Sequence, residues 1–298
     1  LDVYHADGLR CDGISSMLYL NYGVGDDEPH RFNEKGGEED LAAVAFLQKL
    51  NQTISQYYPD VFTVAEESTA WPLVTYPPAD GGLGFHYKWD MGWMNDTLKY
   101  MSIDFPGRFY NHRLLTFSMM YAFNENFVLP LSHDEVVHGK HSLIGRMPGD
   151  YWRQFANLRL LYLYQMTHSG AKLNFMGNEI GHFREWDEKR EQDWNLLDYP
   201  AHQDFHRFMM DLSCLYTEHP ALYEKDYETE GFQWLDCHQE EACIYAFERA
   251  GKEERIVAIF NFSDQAQDAY QIKVPGAKTL ELLLSSNDVR YGGNADAA

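Results

Sequence analysis

The chain has 298 residues, 45% of them hydrophobic and 15% aromatic, which is enough for one large domain and one small one. Its 24 Lys and Arg residues against 46 Asp and Glu residues leave a formal net charge of −22. Because phosphate groups require a positive surface, this charge argues against nucleic acids and anionic membranes as partners, whereas a neutral polymer is compatible with it.

Alternating apolar strands and amphipathic helices are predicted for the first two thirds of the chain. The strands are predicted to end near Asp12, Glu66, Trp89, Asp134 and Met176. The helices are predicted over about twenty residues from residue 38, over residues 94–100 and 114–123, after Asp150, and over residues 204–218. This alternation predicts a parallel sheet.

The pattern changes after Pro220, where short strand-like runs follow one another without helices between them. They are predicted at residues 232–235, 243–247, 256–262, 270–274 and 279–284. Such runs are typical of an antiparallel β-sandwich. The chain is therefore predicted to divide into residues 1–222 and residues 223–298, with the second domain truncated.

The strand count predicts an incomplete barrel. A closed (β/α)8 barrel has eight parallel strands, and about five βα units can be identified in this chain. The expected fold class is therefore α/β: the C-terminal portion of a (β/α)8 barrel followed by a small all-β sandwich domain. We expect the chain to be a fragment that lacks the three opening units.

Three acidic residues, Asp12, Glu66 and Asp134, follow three of the predicted strands. The C-terminal ends of the strands are where a (β/α)8 barrel carries its catalytic residues. Two carboxyl groups, one ionised and one protonated, are the minimum set for cleaving a glycosidic bond. The arrangement predicts a carbohydrate-active enzyme.

The neighbours of two of these acids indicate how they are charged. Arg10 precedes Asp12 by two residues, so both side chains lie on one face of a strand and the guanidinium can hold the carboxylate ionised. The alternative is an ordinary ion pair. Strand alternation turns Glu66 inward and Glu67 into the loop, and a desolvated Glu66 would keep its proton and act as a general acid.

His133 and His138 lie on either side of Asp134 and Glu135 but do not predict a metal site. The metalloprotease motif requires two His residues four positions apart, and these are five apart. We therefore expect no metal here. His133 beside Asp134 suits hydrogen bonding to neighbouring sugar hydroxyls.

The four cysteines, Cys11, Cys214, Cys237 and Cys243, lack the spacing of a zinc or redox site. No signal peptide or transmembrane-length apolar run is recognisable, which favours a reducing, cytoplasmic setting. Because the first residue is Leu1 rather than Met, removal of a targeting segment stays open.

Three segments resemble signature regions of the α-amylase superfamily in the form found in 1,4-α-glucan (glycogen) branching enzymes. They are residues 7–12 with 16–20, residues 65–69 and residues 131–140. The resemblance runs from about residue 5 to residue 290. The first signature region of the family has no counterpart here, and Asp90 and His182 stand where the family usually has Asn and Gln.

The resemblance implies that Asp12 is the nucleophile, Glu66 the general acid/base and Asp134 the residue that stabilises the transition state through sugar hydroxyls. It also implies that Arg10 and His133 contact the substrate. The implied reaction transfers part of an α-1,4-glucan to a C6 hydroxyl with retention, which forms α-1,6 branches in glycogen. No cofactor is implied, and a monomer is expected.

Two alternatives remain open at this point: an α-glucan hydrolase of the same superfamily and a non-catalytic glucan-binding module. The acids argue against the second, because binding alone requires no such set. Since a partial barrel exposes strand edges, we expect the isolated 298 residues to have negligible turnover.

Overall fold

The computed structural model describes residues 1–268 and 270–295. Five strands form one parallel sheet in the order β1-β2-β3-β4-β5. They are β1 (Gly8–Cys11), β2 (Phe62–Ala65), β3 (Tyr87–Trp89), β4 (Phe127–Leu131) and β5 (Ala171–Asn174). This sheet confirms the predicted series of parallel strands.

α-Helices follow β1, β3, β4 and β5, whereas the segment between β2 and β3 contains only a 3-10 turn, Pro78–Asp80. Between β1 and β2 lie α1 (Ser15–Leu18) and α2 (Leu41–Tyr57). Between β3 and β4 lie α3 (Met91–Ser102), α4 (Phe105–Arg108) and α5 (Arg113–Thr116). Helix α6 (Tyr151–Thr167) separates β4 from β5, and α7 (Pro200–Glu218) follows β5. The predicted fold class, βα units of a partial barrel followed by an all-β domain, is confirmed.

The chain divides into two compact units. The first comprises Leu1–Gly92 with Tyr121–Val128, and the second comprises Trp93–Met120 with the residues from Leu129 onward. The division at residue 222 that the sequence suggests stays a prediction.

Aspartates define where two of the long helices begin. Asp40 accepts hydrogen bonds from the backbone N–H groups of Ala42 and Ala43 at 3.0 Å, and Asp150 accepts one from Arg153 at 2.9 Å. Such caps satisfy N–H groups that have no partner inside a helix. The predicted start of a helix at Asp150 is confirmed.

Two helix predictions differ from the structure. The helix predicted over residues 114–123 is the short α5 followed by a 3-10 turn, Phe117–Met120. The apolar spacing along α6 predicts that Trp152 faces the core, but Trp152 is exposed, whereas α6 buries Arg159 and Gln165. Gln165 donates to the carbonyls of Leu129 and Leu173, both at 3.0 Å. Because buried polar groups with such partners are tolerated, hydrophobic periodicity alone did not identify the buried side of α6.

The C-terminal part of the chain forms a three-stranded antiparallel sheet. Its strands are β6 (Phe232–Gln239), β7 (Ile244–Ala250) and β8 (Arg255–Asn261), with β7 in the centre. The register pairs Ile244 with Asn261 and Ala250 with Arg255. The first three predicted strands of this region are therefore confirmed.

The last two predicted strands are wrong. Residues 270–274 and 279–284 have no strand structure in the described part of the chain. The leucine-rich run leaves Leu280 64% exposed and Leu282 58% exposed. A strand-like composition stabilises a strand only where a neighbouring strand and a buried face are available.

Candidate active site

The sheet register brings Asp12 and Glu66 to equivalent positions on neighbouring strands. Strands β1 and β2 are parallel, and the register pairs Cys11 with Ala65. Asp12 and Glu66 are the next residues along each strand, so both acids lie at the same edge of the sheet. The predicted placement of these two acids at the ends of their strands is confirmed.

Arg10 connects the two acids. Its Nη2 donates to Asp12 at 2.6 Å and its Nη1 donates to Glu66 at 2.5 Å. The guanidinium also lies over the ring of Trp89, 4.5 Å from the ring centroid. Charge-assisted hydrogen bonds of this kind favour the ionised form of a carboxylate and restrict its orientation. The predicted contact between Arg10 and Asp12 is present, and the contact with Glu66 was not predicted.

The two acids differ in their access to solvent. The Asp12 side chain is 77% exposed, whereas the Glu66 side chain is 18% exposed. Asp12 can therefore be approached from solution, while Glu66 is more enclosed. A nucleophile needs an open approach to its target atom, and a proton donor benefits from a partly desolvated setting.

Two backbone hydrogen bonds fix the segment around Asp12 to the end of β2. The N–H of Glu66 donates to the carbonyl of Cys11, and the N–H of Ile14 donates to the carbonyl of Glu66, both at 3.0 Å. One contact is made by a residue before Asp12 and the other by a residue after it, so together they fix the backbone at Asp12 relative to the backbone at Glu66. The side chains of Asp12 and Glu66 therefore project from backbone that is held by hydrogen bonds.

The expectation that Glu67 turns into the loop is wrong. It is fully buried and forms an ion pair with Lys88 at 2.7 Å. Burial alone would raise the pKa of Glu67, but the hydrogen bonds from Lys88, Thr69 and Ser15 outweigh it and lower the pKa. Strand alternation predicted the wrong direction for the Glu67 side chain because Lys88, a cation on β3, provides a buried partner for it.

Asp134 and His133 lie together after β4. They belong to a 3-10 turn, His133–Val136, that begins with a capping box: Ser132 accepts from the N–H of Asp134, and Glu135 accepts from the N–H of Ser132. The His133 Nε2 lies 3.4 Å from the Asp134 carboxylate. Both side chains remain open to solvent, as groups that bind sugar hydroxyls require.

Aromatic rings surround His133. The rings of Phe175 and Trp186 lie 5.8 Å and 5.9 Å from it, and they contact each other edge to face at 5.2 Å. Aromatic faces bind the apolar faces of sugar rings, so this cluster could contribute to a sugar site. Sequence reasoning missed it, although Phe175 lies at the end of a predicted strand, where such a residue could have been noticed.

A carboxylate holds the loop that follows Asp134. Glu185 accepts hydrogen bonds from the N–H groups of Gly139 and His141 at 3.0 Å and 2.7 Å, and these bonds lower the pKa of Glu185. His138 and His141 have positive φ angles of 57° and 65°, which are uncommon for residues other than glycine. The ionised carboxylate therefore stabilises a backbone shape that the loop sequence does not itself favour.

The two positions that depart from the family pattern are buried. Asp90 accepts from the hydroxyl of Tyr121 at 3.1 Å. His182 accepts from the N–H of Asp193 at 3.2 Å, and burial lowers its pKa. Each departure is accommodated by a specific hydrogen bond.

No helix among the described residues has the length and apolarity needed to cross a membrane. Within residues 1–268 and 270–295, no three His, Cys, Asp or Glu side chains converge so as to hold a metal ion.

Two comparisons with known proteins found similarities to this chain. Residues 234–297 match the family model for the α-amylase C-terminal all-beta domain. The chain is 50% identical over 297 residues to a 1,4-alpha-glucan branching enzyme GlgB from Halothermothrix orenii, covering 98% of this chain and 47% of that enzyme.

Two further relatives with the same name give similar values. The enzyme from Aquifex aeolicus is 50% identical over 296 residues, which is 99% of this chain and 46% of that enzyme. The enzyme from Oceanobacillus iheyensis is 48% identical over 296 residues, again 99% of this chain and 46% of that enzyme. The chain thus spans about half the length of the curated relatives it matches.

Proposed function

We propose that this chain, which is homologous along nearly its whole length to the 1,4-alpha-glucan branching enzymes of the alpha-amylase superfamily, carries the catalytic carboxylates of a glucan-branching transferase. The observation that carries the proposal is the pairing of Asp12 and Glu66 through Arg10 at the ends of two neighbouring parallel strands. Two carboxyl groups next to each other at a strand edge match the requirement for cleaving a glycosidic bond.

In the first step the carboxylate of Asp12 attacks the anomeric carbon of an α-1,4-linked glucan. Glu66 donates its proton to the departing glycosidic oxygen, so the donor chain leaves behind a glycosyl ester on Asp12. The hydrogen bonds of Arg10 hold the carboxyl group of Glu66 beside that of Asp12.

In the second step the C6 hydroxyl of a glucan chain attacks the glycosyl ester. Glu66 takes the proton of that hydroxyl, the carboxylate of Asp12 is released, and an α-1,6 branch has formed with overall retention. Retention requires the two carboxyl groups to lie roughly 5–5.5 Å apart. Asp134 is proposed to bind sugar hydroxyls in the transition state, with His133 beside it and Arg10 as a further substrate contact.

The reaction class follows from the residues, whereas transfer in preference to hydrolysis rests on the relatives. The names of those relatives specify a branching enzyme, and we extend this activity and a glucan substrate to this chain as part of the proposal. The cytosolic setting, the monomeric state and the absence of a cofactor remain predictions of the same proposal.

Incubation of the full-length gene product with amylose tests the proposal. We expect the iodine colour to fall and α-1,6 linkages to appear in a debranching assay, with no matching rise in reducing ends. An increase in reducing sugar without new α-1,6 linkages would instead show a hydrolase. No change in the glucan at all would contradict both reaction types.

A further inference from the structure

A sealed ion pair lies directly beside the acid/base candidate. The Nζ of Lys88 is 2.7 Å from the carboxylate of Glu67, and the side chains are 7% and 0% exposed. Lys88 is on β3, where the register pairs it with Ala65, the residue before Glu66. The ion pair therefore lies next to the end of β2, the end from which Glu66 projects.

Glu67 joins the segments that follow β1 and β2 to strand β3 itself. Its Oε1 accepts from the hydroxyl of Ser15 and from the N–H of Thr69, both at 2.8 Å. Lys88 also donates to the carbonyl of Thr69 at 3.3 Å. Ser15 lies three residues after Asp12, so a single buried carboxylate connects the loops that carry both catalytic candidates.

A contribution to the stability of the fold does not by itself explain why the Lys88–Glu67 ion pair is buried here. Taking two charges out of water is costly, and apolar side chains of similar volume often stabilise a core as well or better. The pair is also adjacent in sequence to Glu66, whose carboxylate must point elsewhere, toward Arg10. The buried cation at this point is thus the partner of Glu67, the one of the two consecutive glutamates that turns inward.

We propose that Lys88 is a positioning residue for Glu66: it binds Glu67 in the interior and thereby leaves Glu66 as the glutamate that faces Arg10 and the substrate. This inference rests on the proposed function, since it assigns a role within the same reaction. Without Lys88, no cation anchors the side chain at position 67 in the interior, and the end of β2 is free to turn. Glu66 then loses the orientation that proton donation requires, whereas Asp12 keeps its place directly after β1.

The test compares a substrate that needs a proton donor with one that does not. Breaking a glucan bond requires protonation of the leaving oxygen, but fluoride leaves an α-maltosyl fluoride without that help. In the full-length gene product, Lys88→Met should lower kcat on amylose about 100-fold, with little change in KM. The rapid release of fluoride, which reports formation of the glycosyl ester, should fall less than about fivefold, because it depends on Asp12.

Two further variants separate positioning from folding. Lys49→Met on the exposed side of α2 is the matched control and should leave both rates unchanged. The double variant Lys88→Met with Glu67→Gln removes both buried charges, so it should fold even if the single variant does not. It should show the same selective loss on amylose.

The inference is overturned if the variants lose both activities equally, or if the double variant regains normal turnover on amylose together with its thermal stability. Either result makes the ion pair purely structural. Failure of the proposed function has a different signature: the unaltered protein itself would release no fluoride and form no branches, which removes the basis of the inference as well.

Discussion

The charged side chains around Asp12 and those around Arg249 in β7 lie in contrasting environments. At the end of β2, Glu66 shares the guanidinium of Arg10 with Asp12, and the side chain of Asp12 is exposed to solvent. Inside β7, Arg249 is fully buried and bonds Asp226 at 2.6 Å. It also donates to two carbonyls at the end of α6, at 2.9 Å and 2.8 Å.

The difference separates charges used for chemistry from charges used for structure. The charge of an exposed carboxylate such as Asp12 contributes little to stability, because water and salt screen it. A sealed ion with all its hydrogen bonds made is costly to disrupt, because the remaining partner is left buried and unpaired. Removing a charge from the first region should therefore affect turnover, and removing one from the second should affect folding.

The largest expected effect is on turnover. Asp12→Asn removes the nucleophile, and kcat on amylose should fall by at least about 10⁴-fold while the unfolding midpoint stays the same. Asp60→Asn, at an exposed position before β2, is the control and should retain full activity. A variant at position 12 that is active but unstable would reverse the comparison.

Replacing the acid/base should cost less than replacing the nucleophile. Glu66→Gln cannot donate or accept the proton, so the rate on amylose should drop about 10²- to 10⁴-fold. The assay is the rate of branch formation, with Glu34→Gln in an exposed loop as the control. Turnover close to that of the unaltered protein would show that another residue supplies the proton.

Removing the buried charge of Arg249 should lower the stability of the fold. Arg249→Met leaves Asp226 buried without its partner, and the free energy of unfolding should fall by about 3–5 kcal/mol in a urea titration. Lys252→Met removes a solvent-exposed charge 3.8 Å from Glu224 and should change it by less than about 1 kcal/mol. Similar losses in the two variants would mean that burial does not separate these charges.

The smallest expected effect concerns pH. Burial raises the pKa of Glu67, but its hydrogen bonds with Lys88, Thr69 and Ser15 prevail, so the folded-state pKa lies below 4.5. The unfolded chain then binds more protons, and the stability that Glu67 contributes is present above pH 4.5 and is lost as the pH falls below that value.

Glu67→Gln should therefore weaken the loss of stability in acid, which urea titrations at several pH values would measure. Glu34→Gln should leave the pH dependence unchanged, because that residue is exposed. An unaltered acid slope in the Glu67 variant would contradict the assigned direction of the pKa shift.

Local features were predictable because they depend on neighbours in the sequence. The ends of β1 and β2 follow from apolar runs that stop at Asp12 and Glu66, and the start of α6 follows from the capping residue Asp150. The contact between Arg10 and Asp12 follows from a spacing of two residues in a strand.

Features that depend on distant partners were not predictable in the same way. The direction of Glu67 depends on Lys88, 21 residues further along the chain. The one available signal was a single lysine within the aromatic run that became β3. In the same way, the leucines of residues 279–284 suggested a strand, but no neighbouring strand in the described chain pairs with them.

By itself the sequence determined which residues end the parallel strands, and it therefore determined the set of candidate catalytic groups. Only the tertiary structure decided that Arg10 binds Asp12 and Glu66 at once and that Glu67, not Glu66, turns inward to Lys88. The physical reason is that strand periodicity is a property of consecutive residues. The pairing of charges, in contrast, depends on which groups the sheet register brings within hydrogen-bonding distance.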